Sequence, residues 1–272
     1  LKNLTFFNKE EIKKDIKLIS YLSRTRGQDT YGISIFNDKT EKIFKQNIDP
    51  SKIFNRGDYK KFISQTLENL KINNPLSING QTRLVTNGTK FLAKNNQPLI
   101  TKNIIGVHNG IIVNQEFQND SKQKINYEGY NVKSDSLVFY EELSEIYEKD
   151  PVNFILNFTN FMEKIDGNYS IHFRIPELKI NFLSSNCGSL YYVSDENYII
   201  YASEKEILKK FQKQSSSNLF SNNRTIKKIV NQTIIYNDNL EILDAEQILS
   251  KKIFSVKNQY KIFDNITETN FK

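Results

Sequence analysis

Arg83, Asn109 and Gly110 are the residues of this 272-residue chain whose types and settings could do chemistry. Arg83 closes the run L-S-I-N-G-Q-T-R, and its guanidinium can hold a carboxylate in a two-point fork that a lysine cannot make. Asn109 and Gly110 follow the apolar Ile104–Val107 segment. A side-chain amide beside a backbone N–H is the usual equipment for stabilising an oxyanion, although Asn-Gly is also an ordinary turn between strands. The only cysteine is Cys187, in N-C-G-S-L-Y-Y, and it is expected to pack as a small half-buried residue rather than to react. Two histidines, His108 and His172, and one cysteine are too few and too far apart for zinc, so no metal is expected and neither histidine is assigned a role.

The elements that must position these groups can be read from periodicity. Ile12, Ile16, Ile19 and Leu22 recur at helical spacing and predict an amphipathic helix over 9–24. Further helices are expected over 58–69, 134–147 and 151–164, the second of these with Ser134 as its N-cap. Strands are expected over 31–36, 42–46, 75–83, 104–109, 169–173, 179–183, 190–194 and 199–203, with a hairpin over 232–243. Residues 212–224, Q-K-Q-S-S-S-N-L-F-S-N-N-R, read as a mobile loop, and 113–118 as a short turn or helix. Helices in two groups beside many short strands give an α+β layered fold.

Composition bounds the function. With 38% hydrophobic residues the chain can bury a core, and residues 1–250 read as one domain followed by a C-terminal extension or linker over 251–272. The net charge of +7 comes from lysines spread along helices, loops and strands, without a dense basic run, so no nucleic-acid partner is expected. No stretch approaches the roughly 20 apolar residues a membrane helix needs, and a single cysteine points to a reducing, cytoplasmic setting.

Seven short segments, in order, carry a resemblance. R-G-Q-D-T-Y-G at 26–32, G-Q-T-R-L-V-T-N-G at 80–88, G-V-H-N-G-I-I at 106–112, Ser134-Asp135-Ser136, I-D-G-N-Y at 165–169, the Cys187 turn and Y-A-S-E-K-E-I-L at 201–208 resemble the motifs of class II glutamine amidotransferases. Within that family the H-N-G-I-I and T-R-x-x-T segments are most similar to the glutaminase domain of the glucosamine–fructose-6-phosphate aminotransferases, which serve amino sugar biosynthesis. The resemblance implies the four-layer αββα sandwich of N-terminal-nucleophile hydrolases, with two antiparallel sheets face to face and helices outside. It implies L-glutamine as substrate, no cofactor, and a synthase or isomerase domain or subunit that accepts ammonia. Arg83 and Thr86 would take the glutamine α-carboxylate, Asp135 the α-ammonium, and Asn109 with Gly110 the oxyanion. Asp135 also reads as a carboxylate at the positive end of a helix, and the two roles are compatible. Arg26 and Asp29 are expected to shape their turn.

Three departures stand out. The family's nucleophile is an N-terminal cysteine whose own α-amino group is the base, and this chain begins Leu1-Lys2-Asn3-Leu4. Two readings follow: the sequence lacks leading residues, or Leu1 stands at the nucleophile position of an inactive glutamine-binding or regulatory protein. Leu84 stands where an aromatic residue is usual and Asn87 where a histidine is, which loosens the expected closure over glutamine.

Overall fold

Alternation along the strands decides which side chains meet. In the segment Tyr169–Ile175, Ile171, Phe173 and Ile175 point one way, and Ser170, His172 and Arg174 the other. The computed structural model describes residues 1, 8–37, 40–68, 74–84, 95–114, 134–217, 220, 224–243 and 261–264. Its helices are α1 (Lys9–Leu22), α2 (Pro50–Ile53), α3 (Gly57–Glu68), α4 (Asp135–Lys149), α5 (Phe154–Met162) and α6 (Lys205–Gln214). Its strands are β1 (Thr30–Asn37), β2 (Thr40–Gln46), β3 (Leu76–Arg83), β4 (Leu99–Ile100), β5 (Ile105–Ile112), β6 (Gly167–Ile175), β7 (Ile180–Ser185), β8 (Tyr191–Ser194), β9 (Ile199–Ala202), β10 (Lys227–Lys228), β11 (Gln232–Asn237) and β12 (Lys261–Asp264).

The strands form sheets ordered β12-β2-β1-β3, β10-β8-β9 and β11-β7-β6-β5-β4. Every pairing is antiparallel except β12 with β2. One face of the five-stranded sheet packs Ile171, Phe173 and Phe182 against Phe139, Leu143 and Phe158 of α4 and α5. On the other side of the molecule Ile33, Ile35, Phe44 and Leu76 bury Ile12 and Ile16 of α1, Phe62 and Leu67 of α3, and Phe211 of α6. Between these layers the inner sheet faces meet: His172 stacks on Tyr201 at 4.8 Å, and the Arg174 guanidinium lies 3.8 Å from the centre of the Phe36 ring. The layering is helix, sheet, sheet, helix, with the first sheet layer divided between β3 and β9.

Helix α1 ends at Leu22 and passes into a 3-10 turn over Ser23–Arg26, so the expected helix stops two residues early. Helix α6 was not expected; its buried Ile207, Leu208 and Phe211 hold it to the first layer. Gln212 therefore belongs to a helix rather than a mobile loop, and its amide donates to the Arg224 carbonyl at 3.2 Å. The second arm of the expected 232–243 hairpin is a single bridge, Tyr236 to Ile242. Strand β12 brings the stretch read as a linker back into the first sheet. Residues 115–118 lie outside the described residues.

Candidate functional site

The 3-10 turn at Ser23–Arg26 delivers an arginine to the end of β5. Arg26 Nη2 donates to Asn109 Oδ1 at 3.0 Å, and Nη1 donates to Glu204 at 3.1 Å. Because a guanidinium only donates, the Asn109 atom facing Arg26 is the oxygen, and the amide nitrogen is left pointing elsewhere. Gly27 follows because nothing larger fits: a Cβ there would lie 2.0 Å from the Leu84 nitrogen. Gly110 is required for both reasons glycine can be: its φ is +145°, and a Cβ would lie 1.9 Å from the Asn168 carbonyl oxygen.

The strand that carries Asn109 is held on its backbone. Beyond β4, the Gln97 side chain takes over as a surrogate strand: its Oε1 accepts from the His108 N–H at 2.6 Å and its Nε2 donates to the His108 carbonyl at 3.0 Å. Gln81 of β3 donates to the same carbonyl at 2.6 Å, tying the two sheets together beside Asn109.

Arg83 ends β3, largely buried, with Nη1 donating to the Asn95 carbonyl and Asn96 Oδ1 at 3.2 and 3.3 Å. Burial pushes its guanidinium below the usual range, while Asp135 and Asp29 draw it back up. Asp135 is the first residue of α4, whose N-cap Ser134 accepts from the Leu137 N–H at 3.2 Å. Its Oδ2 accepts from the Ile112 N–H at 3.0 Å. Asp135 thus sits at the end of β5, three residues beyond Asn109, near enough to Arg83 to act on its charge. Thr86 and Asn87 lie outside the described residues.

A cavity of about 240 Å³ runs between the sheets, bordered by Arg26, His108 and Asn109 at one end and by Asp238. Arg83, Gly110 and Asp135 do not border it. Leu1 pairs with Leu76, at the opposite end of β3 from Arg83, and so does not stand beside Asn109.

No family model matches the chain. It is 26% identical over 239 residues to the glutamine–fructose-6-phosphate aminotransferase (isomerizing) of Buchnera aphidicola from Acyrthosiphon pisum, covering 86% of this chain. The enzyme of the same name from the Baizongia pistaciae strain is 29% identical over 153 residues, or 54% of this chain. The likeness to these relatives supports a class II glutamine amidotransferase domain. The chain spans 36% and 22% of the lengths of those two relatives. The fold of this chain matches glutamine phosphoribosylpyrophosphate amidotransferase from B. subtilis, with a TM-score of 0.55 at 15% identity over 83% of this chain and 44% of that one. A second solved structure, the allosteric regulatory enzyme of purine biosynthesis, matches with a TM-score of 0.56 at 17% identity, over 82% and 44%.

Two features of this region escaped the sequence. Arg26 does more than shape its turn, because it orients Asn109; the signal was its place in R-G-Q-D-T-Y-G, but the partner lies 83 residues away. Cys187 is exposed rather than half-buried. Its Sγ lies 3.5 Å from Ser170 Oγ, and Ser170 pairs across the sheet with Asn109. Partial burial pushes the thiol up, but hydrogen bonds from Ser170, Ser189 and Ser185 outweigh it and leave the group lowered. Among the described residues no cluster of metal-ligating side chains is found, and no helix is long and apolar enough to cross a membrane.

Proposed function

We propose that this domain hydrolyses the side-chain amide of L-glutamine to glutamate and ammonia, and that an acceptor domain or subunit uses the ammonia. The carrying observation is the Asn109 amide, turned by Arg26 so that its nitrogen is available beside the Gly110 N–H. In this reading Arg83 and Thr86 take the α-carboxylate and Asp135 the α-ammonium. A cysteine thiolate adds to the amide carbonyl, Asn109 and Gly110 hold the oxyanion, and ammonia leaves with a proton supplied by the cysteine's own α-amino group. Water then cleaves the thioester to glutamate. The relatives' name, glutamine–fructose-6-phosphate aminotransferase, supports a sugar phosphate as acceptor. A reactive thiol fits a reducing compartment, and we locate the protein in the cytoplasm.

The nucleophile has a place to enter. Among the described residues β3 pairs with no strand but β1, and β9 with none but β8, and the other edges of both border the same cavity. Leu1 and Leu76 exchange both backbone hydrogen bonds, at 3.0 and 2.9 Å, which makes them an antiparallel pair. A strand running into Leu1 would face Ser77, Ile78, Asn79, Gly80, Gln81 and Thr82 in turn, so its sixth residue lies level with Thr82, near Arg26 and Asn109. We assign the cysteine to that sixth position.

The chain extended by six residues beginning with cysteine should release glutamate. Extensions of five or seven turn the thiol to the opposite face of the strand and should be inactive. Equal activity for all three lengths, or none for six, overturns the assignment. Separately, Arg83→Lys should weaken glutamine binding by about tenfold, because the fork is lost while the charge is kept. Unchanged affinity in titration calorimetry removes Arg83 from the site.

A further inference from the structure

His108 is 3% exposed and takes no part in the chemistry above. Its Nδ1 lies 2.7 Å from Ser136 Oγ, and Ser136 Oγ lies 3.3 Å from Asp135 Oδ1. Its Nε2 makes no close hydrogen bond among the described residues but lies beside the Asn168 backbone, 2.9 Å from the point where a Cβ would stand on Gly110. One imidazole therefore reaches the carboxylate of α4 through Ser136 on one side and borders the space over Gly110 on the other.

The hydroxyl of Ser136 has a single proton. When it donates to Asp135 Oδ1 it must accept from His108, which places the imidazole proton on Nδ1. Burial lowers His108, and Arg83 pushes the same way, while Asp135 and the Asn168 backbone oppose them. A neutral ring with one proton suits such a chain of bonds. The backbone of the same residue is fixed by Gln97 and Gln81, so the ring has little freedom to turn away.

We propose that His108 is a positioning residue: the chain His108–Ser136–Asp135 aims the Asp135 carboxylate at the ammonium of the bound amino acid. The inference rests on the reading that Asp135 receives the α-ammonium. Asp135 keeps its second oxygen on the Ile112 N–H, so loss of the relay leaves the carboxylate present but free to swing about that bond. The relay thus acts on ammonium recognition and leaves the grip of Arg83 on the carboxylate untouched.

The test compares two ligands by calorimetry: L-glutamine, and glutaramate, which is glutamine without its α-amino group. The ratio of their affinities isolates the ammonium. His108→Phe, which fills the space without a polar edge, and Ser136→Ala, which leaves the histidine in place, should each reduce that ratio by about tenfold, the worth of one hydrogen bond to a charged group. His108→Asn, which restores a donor near Nδ1, should recover part of it. Asp135→Asn is the control and should collapse the ratio. If it does so while His108→Phe and Ser136→Ala leave the ratio unchanged, the relay is wrong and the Asp135 assignment stands. If none of the three changes the ratio, Asp135 does not bind the ammonium and the relay falls with it. A loss of affinity equal for both ligands marks a merely structural role and also overturns the proposal.

Discussion

The two ends of the layer between the sheets are both polar and are built in opposite ways. At the Asn109 end the main-chain groups of His108 are matched by the amides of Gln97 and Gln81, and Arg26 spends one arm on Asn109 and one on Glu204. At the other end Arg174 is wholly buried and forks onto Asp238, while Glu41, also buried, finds no hydrogen-bond partner for either oxygen among the described residues. Ser34 Oγ, Arg174 Nε and Asn181 Oδ1 are in the same position. The first end is preorganised: its donors are aimed before any ligand arrives, which is what stabilising a developing charge requires. The second holds charges in a dry place, where one cation serves two carboxylates. Polarity between sheets is therefore no guide to chemistry; exposure separates the two ends, since Gln81 Oε1 and His108 Nε2 at the first end also lack a close partner among the described residues.

The sharpest way to break the comparison is to remove each arginine. Arg174→Leu strands Asp238 and Glu41 without a cation, and should cost about 3–5 kcal/mol of stability in urea unfolding. Arg26→Leu removes an arginine whose side chain is 40% exposed and should cost less than about 1 kcal/mol. In the six-residue-extended chain it should still lower glutamate release by about 100-fold, because Asn109 loses its orientation. Equal stability losses for the two variants would erase the distinction between the ends.

A smaller effect follows from pH. Burial raises Glu41 to about 7, against the lowering pull of Arg174. A carboxyl raised on folding binds its proton more tightly in the native state, so its contribution is full below the ordinary carboxylate range and is lost as pH rises towards 7. Each pH unit in that window removes up to about 1.4 kcal/mol. His172, lowered to about 3 by burial and by Arg174, works in the opposite direction over part of the window. The informative quantity is therefore the difference between Glu41→Gln and the parent: the variant should gain relative stability between pH 5 and pH 8. A difference independent of pH would show that Glu41 does not titrate there. The smallest effect concerns the cap that starts the Asp135 helix. Ser134→Ala should cost about 1 kcal/mol in thermal or urea unfolding, and no measurable loss would mean that the Leu137 N–H finds another acceptor.

Much of this arrangement was legible beforehand, and the reason is local. The alternation of Ser170, His172 and Arg174 with Ile171, Phe173 and Ile175 shows that β6 is buried on both faces, one of them polar. Ser134 before an apolar run marks where α4 begins. The motif segments singled out Arg83, Asn109 and Asp135; the fold sets them at the end of β3, within β5 and at the start of α4, and of the three only Asn109 borders the cavity between the sheets. What could not be read depends on long-range partners. Arg26 meets Asn109 and Glu204 across 83 and 178 residues. Helix α6 was hidden because its short apolar set, Ile207, Leu208 and Phe211, sits among lysines and glutamines that read as loop. Strand β12 is short and pairs parallel with a strand more than 200 residues earlier, a contact no local pattern announces.

The edges of β3 and β9 that no other strand among the described residues covers have a consequence of another kind. Unpaired N–H and C=O groups along an edge are a template for any extended segment, including one borrowed from a neighbouring molecule. Concentrated solutions of the chain as it stands should therefore favour strand exchange between copies, and in time ordered aggregates. A peptide seated between β3 and β9 would close both edges at once and act as an internal chaperone, so that one event would govern reactivity and colloidal stability together.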